Sequence, residues 1–254
     1  MRITILGSGT STGVPEVGCA CDVCQSTDKR DKRFRTSAWI EVEDKRLLID
    51  CGPDFRMQML NRPFKKLDAV LITHEHYDHV GGLDDLRPFC RMGDIPICGD
   101  QQTLYQLKRR MDYCFTEPRY PGIPTFILNS VTSMLPFTIA DVEVLPFTVM
   151  HGKRPILGFR IGKLAYITDM LTLPDASLAV LDGVECLVMN ALRHTPHPTH
   201  QSLSQALHVV EKIAPKETYL IHLNHQMGKH AIVDPSLPPH IHLAYDGLVI
   251  DLKD

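Results

Sequence analysis

The chain predicts an α/β fold, and three observations carry that expectation. Short apolar, β-branched runs recur from Ile3 to Leu252 and alternate with stretches of helical spacing. Three of these runs close on a residue that ligates metals, at His151, Asp169 and His222, and a fourth leads straight into a histidine-rich loop. The chain has 254 residues, 44% hydrophobic and 22% charged, enough for one large domain or two small ones. Because strand-like runs and candidate ligands extend almost end to end, a single domain over residues 1-254 is expected. A formal charge of -3 and a pI near 6.5 provide no global attraction to nucleic acid or to an anionic membrane. A small substrate is therefore expected. No apolar stretch reaches transmembrane length, and Met1 to Gly7 is too short and too β-like for a secretory signal. A cytoplasmic location follows as the expectation, with the eight cysteines serving mostly as thiols or metal ligands.

Ile3, Ile5 and Leu6 begin the first strand, followed by Gly7-Ser8-Gly9-Thr10-Ser11-Thr12-Gly13. A dinucleotide site needs G-x-G-x-x-G opening a helix; here the third glycine comes one residue late, and Pro15 with Gly18 precludes a regular helix. That reading is rejected. Cys19-Ala20-Cys21-Asp22-Val23-Cys24 follows as an inserted loop near 19-24. Three thiols at this spacing in a reducing compartment suggest a structural zinc, with His225 as the candidate fourth ligand. A redox pair or three unrelated buried thiols are the competing readings. From Asp28 to Arg35 a charge run reads as a solvated face, with a substrate phosphate or partner-subunit contact for Arg33 or Arg35 as the sharper alternative.

Trp39 to Val42 and Arg46 to Ile49 read as two strands around a polar turn, the second ending at Asp50-Cys51-Gly52. Phe55 to Leu60 reads as a helix. Ala69 to Ile72 then reads as a buried strand feeding Thr73-His74-Glu75-His76-Tyr77-Asp78-His79. In an extended turn His74 and His76, two apart, point to one side, while Asp78 and His79 turn toward a second point. The pattern suggests two adjacent metals. Further on, Leu83 to Arg91 carries no clear signal, Ile95 to Cys98 reads as a short strand and Gln101 to Met111 as a helix with Leu104, Leu107 and Met111 on its core stripe. Asp112 to Pro124, rich in proline, reads as an irregular connection. Strand signals resume at Phe126, Phe137, Val142, Leu157, Leu164 and Cys186, the fourth and fifth as a hairpin over Gly162-Lys163. Prolines make Arg193 to His200 a loop presenting His194, His197 and His200, of which His194 and His197 read as surface residues. Helical spacing runs from Ser202 to Ile213. His240 to Tyr245 and Leu248 to Leu252 read as strands around an Asp246-Gly247 turn.

His74-x-His76-x-Asp78-His79 followed by Gly81-Gly82 resembles the signature of the metallo-β-lactamase superfamily. The resemblance implies an αββα sandwich, two mixed sheets flanked by helices, and a hydrolase with a dinuclear centre of zinc or manganese, or of iron. It implies that His74, His76 and His151 hold one ion and Asp78, His79 and His222 the other, with Asp169 bridging. It also implies that the Gly7 to Gly13 loop passes close under the centre and that Asp50 supports an imidazole from behind. The cysteine loop with His222-x-x-His225 narrows the likeness to the phosphoribosyl cyclic phosphodiesterases of phosphonate breakdown. There a histidine before the helix lies by the substrate, which His200 matches as substrate-binding and catalytic residue; Asn190 departs from the aspartate of that pattern. The expected substrate is a small phosphodiester, with no nucleic acid and no membrane, and a homodimer is open. A tRNA 3′-processing nuclease shares the core but calls for an RNA-gripping arm and a basic surface, neither evident. A zinc-stabilised binding protein without turnover is the non-catalytic alternative. Fewer than about thirty-five residues follow His222, short of a glyoxalase-II-type helical domain.

Overall fold

A computed structural model describes residues 1–118 and 121–252. The first half forms β1 (Arg2–Gly7), β2 (Ser37–Val42), β3 (Lys45–Ile49), β4 (Ala69–Leu71), β5 (Ile95–Gly99) and β6 (Phe126–Ser130). The second forms β7 (Phe137–Ile139), β8 (Val142–His151), β9 (Arg154–Ile161), β10 (Leu164–Tyr166), β11 (Cys186–Asn190), β12 (Glu217–Ile221), β13 (Ile241–Leu243) and β14 (Val249–Asp251). Helices α1 (Phe55–Met59), α2 (Tyr77–Val80), α3 (Gln101–Arg110), α4 (Asp175–Ala179), α5 (Leu203–Ile213) and α6 (His230–Val233) interrupt them.

Two seven-stranded sheets result, ordered β14-β1-β2-β3-β4-β5-β6 and β13-β12-β11-β10-β9-β8-β7. Each is mixed. In the first, β3 to β6 run parallel and β14, β1 and β2 pair antiparallel; in the second, β10 to β13 run parallel and β7 to β10 antiparallel. Alternation along the strands sends one set of side chains between the sheets, where Ile5, Ile40 and Leu71 meet Val144, Phe159 and Tyr166. The opposite set packs outward under helices. Leu48, Val70 and Ile97 lie with Phe55, Leu83 and Leu104 on one side, and Val149, Leu187 and Leu220 with Ala206 and Val210 on the other. This is the αββα arrangement.

Most expected elements appear within a residue or two. Ser202, where the helical spacing begins, caps α5 with a reciprocal box to Gln205. Two details go beyond the sequence reading. The strands either side of Asp246-Gly247 do not pair with each other: β13 joins the second sheet and β14 the first, so the chain there crosses between layers. The metal-loop motif is not extended throughout, because Tyr77 to Val80 close one helical turn in which Gly81 N donates to Tyr77 O at 2.7 Å. Asp112 to Cys114 form a single turn, and Arg119 and Tyr120 of that connection lie outside the described residues. Among the described residues no helix is long and apolar enough to cross a membrane.

Candidate metal centre

The ends of strands from both sheets meet at one edge of the sandwich. Asp50 follows β3, His74 lies three residues beyond β4, His151 ends β8, Asp169 lies three beyond β10 and His222 directly follows β12. The loop after β4 is tied to the other sheet by Leu157 N donating to Thr73 O at 3.0 Å. The α2 turn sits tightly on the chain after Asp50: a Cβ on Gly52 would stand 2.2 Å from Asp78 O, and one on Gly82 2.0 Å from Gly52 O. Only glycine permits that approach.

Hydrogen bonds orient the imidazoles. His79 Nδ1 donates to Asp50 Oδ2 at 2.7 Å, and His74 Nδ1 lies 3.0 Å from Thr73 Oγ1, which in turn donates to Asp50 at 2.8 Å. His151 Nδ1 donates to Thr199 O at 3.1 Å, and His222 Nδ1 to Thr36 Oγ1 at 3.2 Å. With Nδ1 carrying the proton in all four, each Nε2 keeps its lone pair for the centre. His74 Nε2 lies 2.9 Å from His76 Nδ1, and the buried Nε2 atoms of His79 and His222 form no hydrogen bond although both face the Asp169 carboxylate. Buried polar atoms are ordinarily partnered, and a cation is the partner this donor set fits. Burial also pushes His74 well below its ordinary range and His222 down to about 4, so both stay neutral as ligation requires.

The ligand atoms gather into groups within 4.8 Å: His74, His76 and His151; Asp78, His79, Asp169 and His222; and His151, Asp169 and His200. Asp169 thus stands between the first two sets. Its Oδ2 is 3.1 Å from His79 Nε2 and its Oδ1 3.3 Å from His222 Nε2. His200 Nε2 touches Asp169 Oδ1 at 2.9 Å, placing the residue expected near the substrate against the centre itself.

His197 departs from the surface position expected for it. It is half-buried, with Nδ1 3.0 Å from His200 Nδ1, because the proline-bent loop folds back over the centre. The H-x-x-H spacing with His200 was the only signal for it. His194 is exposed and meets Met227 O at 2.9 Å. Asn190 is buried and brackets one peptide, accepting from Met170 N at 2.8 Å and donating to Met170 O at 2.9 Å. A carboxylate cannot make both bonds, so asparagine here fixes the turn that carries Asp169.

The cysteine loop folds onto the chain after β12. His225 Nδ1 lies 3.2, 3.3 and 3.6 Å from the thiols of Cys19, Cys21 and Cys24. Tetrahedral zinc with its usual bond lengths spaces sulfur and nitrogen ligands by about 3.5 Å, so this quartet fits one ion. The Cys24 N–H lowers the Cys21 thiol to about 6, favouring thiolate, whereas burial pushes Cys24 up to about 11. The neighbouring charge run is no solvated face at Arg33, which is 2% exposed. Its guanidinium pairs with Asp31 at 3.3 Å and donates to Asn224 O and Gly228 O at 3.2 and 3.0 Å, locking the chain on both sides of His225. Arg35 pairs with Asp54 at 2.9 Å and stays partly exposed. The Gly7 to Gly13 loop lies against Leu223, beside His222, through Thr10 N donating to Leu223 O at 3.2 Å.

Fold and donor set together define a metal-binding hydrolase of the metallo-β-lactamase type. Comparison with known proteins agrees. Residues 45–223 match the β-lactamase superfamily domain, and the chain belongs to that superfamily, related within it to the PhnP family. A crystal structure described as a new diphosphatase from the PhnP family is 38% identical, with TM-score 0.92 over 99% of this chain and 98% of that one. Zinc-bound PqqB from Methylobacterium extorquens shares the fold at 19% identity and TM-score 0.79, covering 99% and 100% of the two chains. A Porphyromonas gingivalis protein named octanoyltransferase is 48% identical across 100% of this chain but only 52% of its own length. The chain thus spans about half of that relative, and its name describes the whole.

Proposed function

We propose that the protein is a dinuclear metal-dependent phosphodiesterase acting on a small phosphodiester, with a cyclic sugar phosphate as the substrate class. One observation carries the reading: seven ligands from both sheets fall into two adjoining groups, with Asp169 between them and His200 in contact with it. His74, His76 and His151 would hold one ion, Asp78, His79 and His222 the other, and Asp169 would reach both. Divalent ions bound there, zinc, manganese or iron, supply Lewis acidity that polarises phosphoryl oxygens and lowers the pKa of water.

The chain's own residues supply the rest. Asp50 and Thr73 hold His79 and His74 in one tautomer and aim. His200 acts as general acid: as imidazolium it directs Nδ1–H toward Thr199 Oγ1 and His197 and Nε2–H into the centre, where a departing alkoxide collects the proton. Support for phosphorus chemistry comes from the 38% identical PhnP-family structure, described as a diphosphatase. That description favours a second reading, cleavage of a diphosphate, by the same groups. The chain is read as cytoplasmic, with one structural zinc in the cysteine loop and a homodimer left as an open arrangement.

The deciding experiment is turnover by purified protein, after chelation and after reloading with zinc, manganese or iron. Metal-dependent cleavage of bis(p-nitrophenyl) phosphate is expected, then faster turnover of one member of a panel of cyclic phosphates, linear diesters and diphosphates. A metal-loaded protein inert on all of them would overturn the reading in favour of a binding role.

A further inference from the structure

Between the two histidines of the metal loop sits Glu75, a buried carboxylate that no catalytic role uses. Three groups hold it. Arg154 Nη2 ion-pairs with Oε2, Thr103 Oγ1 lies 3.4 Å from the same oxygen, and Arg110 Nη1 donates to the Glu75 backbone carbonyl at 2.5 Å. Their origins differ. Thr103 and Arg110 lie on α3, packed behind the first sheet, whereas Arg154 opens β9 in the second.

Arg154 is also the direct ladder partner of His151 across the β8–β9 hairpin. The first ligand group therefore has two halves, His74 and His76 from a loop of one sheet and His151 from a hairpin of the other, and one ion pair links the residues beside those halves. Chain alternation turns Glu75 away from the side that His74 and His76 face, so its carboxylate is free to serve as an anchor. The loop also meets β9 through its backbone, Leu157 N donating to Thr73 O.

We propose that the Glu75–Arg154 ion pair is a clamp across the two sheets that sets the separation of His151 from His74 and His76, and so tunes affinity for the ion of that group alone. The clamp rests on the two-metal reading above. Loss of a group that orients ligands typically costs about 10- to 100-fold in metal affinity. The Asp78, His79 and His222 group has its own supports in Asp50 and Thr36, so it should not feel the change.

Manganese titration of chelator-treated protein, read by electron paramagnetic resonance, tests both levels, because manganese prefers the His and Asp donors to the thiolates. Wild-type protein should take up two manganese ions. Uptake of fewer than two overturns the two-metal reading and the clamp with it. In Glu75→Gln and Arg154→Ala, one ion should bind with wild-type affinity and the other about 10- to 100-fold more weakly. Arg154→Lys, which keeps the charge, should recover most of the loss, and circular dichroism of the metal-free variants should match wild type. Two tight ions in both Glu75→Gln and Arg154→Ala, or equal weakening of both ions, would overturn the clamp while leaving the two-metal reading in place.

Discussion

Asp50, Asp169 and His222 adopt left-handed backbone, with φ of 58, 56 and 57°, in a region non-glycine residues seldom visit. Asp50 and His222 directly follow strands and Asp169 lies three residues beyond one; the abrupt turn at each points the side chain toward the ligand cluster, and such strain persists where surrounding bonds over-determine it. Asp169 lies against His79, His200 and His222, so Asp169→Ala should lose bound metal and nearly all turnover while remaining folded; wild-type metal content and activity would remove it from the centre. His200 should separate substrates by leaving group. General-acid help typically contributes roughly 10²- to 10⁴-fold, and an alkoxide needs it where a nitrophenolate does not. His200→Ala should therefore keep its metals, lose activity on an alkoxide-releasing cyclic phosphate and lose far less on a p-nitrophenyl ester. Equal losses on both would make His200 a phosphate-positioning group.

At the scale of elements, the cysteine loop closes on one histidine, His225, and helix α5 follows another, His200. Cys19, Cys21 and Cys24 close around His225, and structural zinc contributes directly to folding. Cys21→Ser should lower zinc by one ion per chain and lower the thermal midpoint; unchanged zinc and melting would disprove the site. Helix α5 begins at Ser202, whose hydroxyl accepts from Gln205 N at 3.4 Å, two residues after His200. Ser202→Ala should cost about 1 kcal/mol of stability in denaturant unfolding, as other N-cap losses do, with metal content retained. These elements were legible because their signals are local: a thiol spacing, a cap followed by helical periodicity. Arg33 was not, because a run of charges looks alike whether solvent or carbonyls of a distant segment receive it.

For the whole molecule, the layer between the sheets holds the two ligand groups at one edge. Phe159, fully buried in that layer, should cost about 3 to 5 kcal/mol when replaced by alanine, measured by chemical unfolding, since the cavity cannot collapse between two sheets. A smaller loss than about 1 kcal/mol would mean that the sheets close up around the gap.

The sequence alone determined the chemistry available: the strands, the helix starts, the donor types and their order along the chain, all readable from periods of two and 3.6 residues and from short spacings. Only the tertiary structure decided which donors meet. It set Asp50 behind His79, 29 positions away, folded His197 over His200, sent β13 and β14 to opposite sheets and joined Glu75 to Arg154 across the sandwich. The reason is physical. Local pattern fixes which face of an element is buried, whereas the partner on the other side of that face is chosen by packing of segments far apart in the chain, and no spacing in the sequence records it.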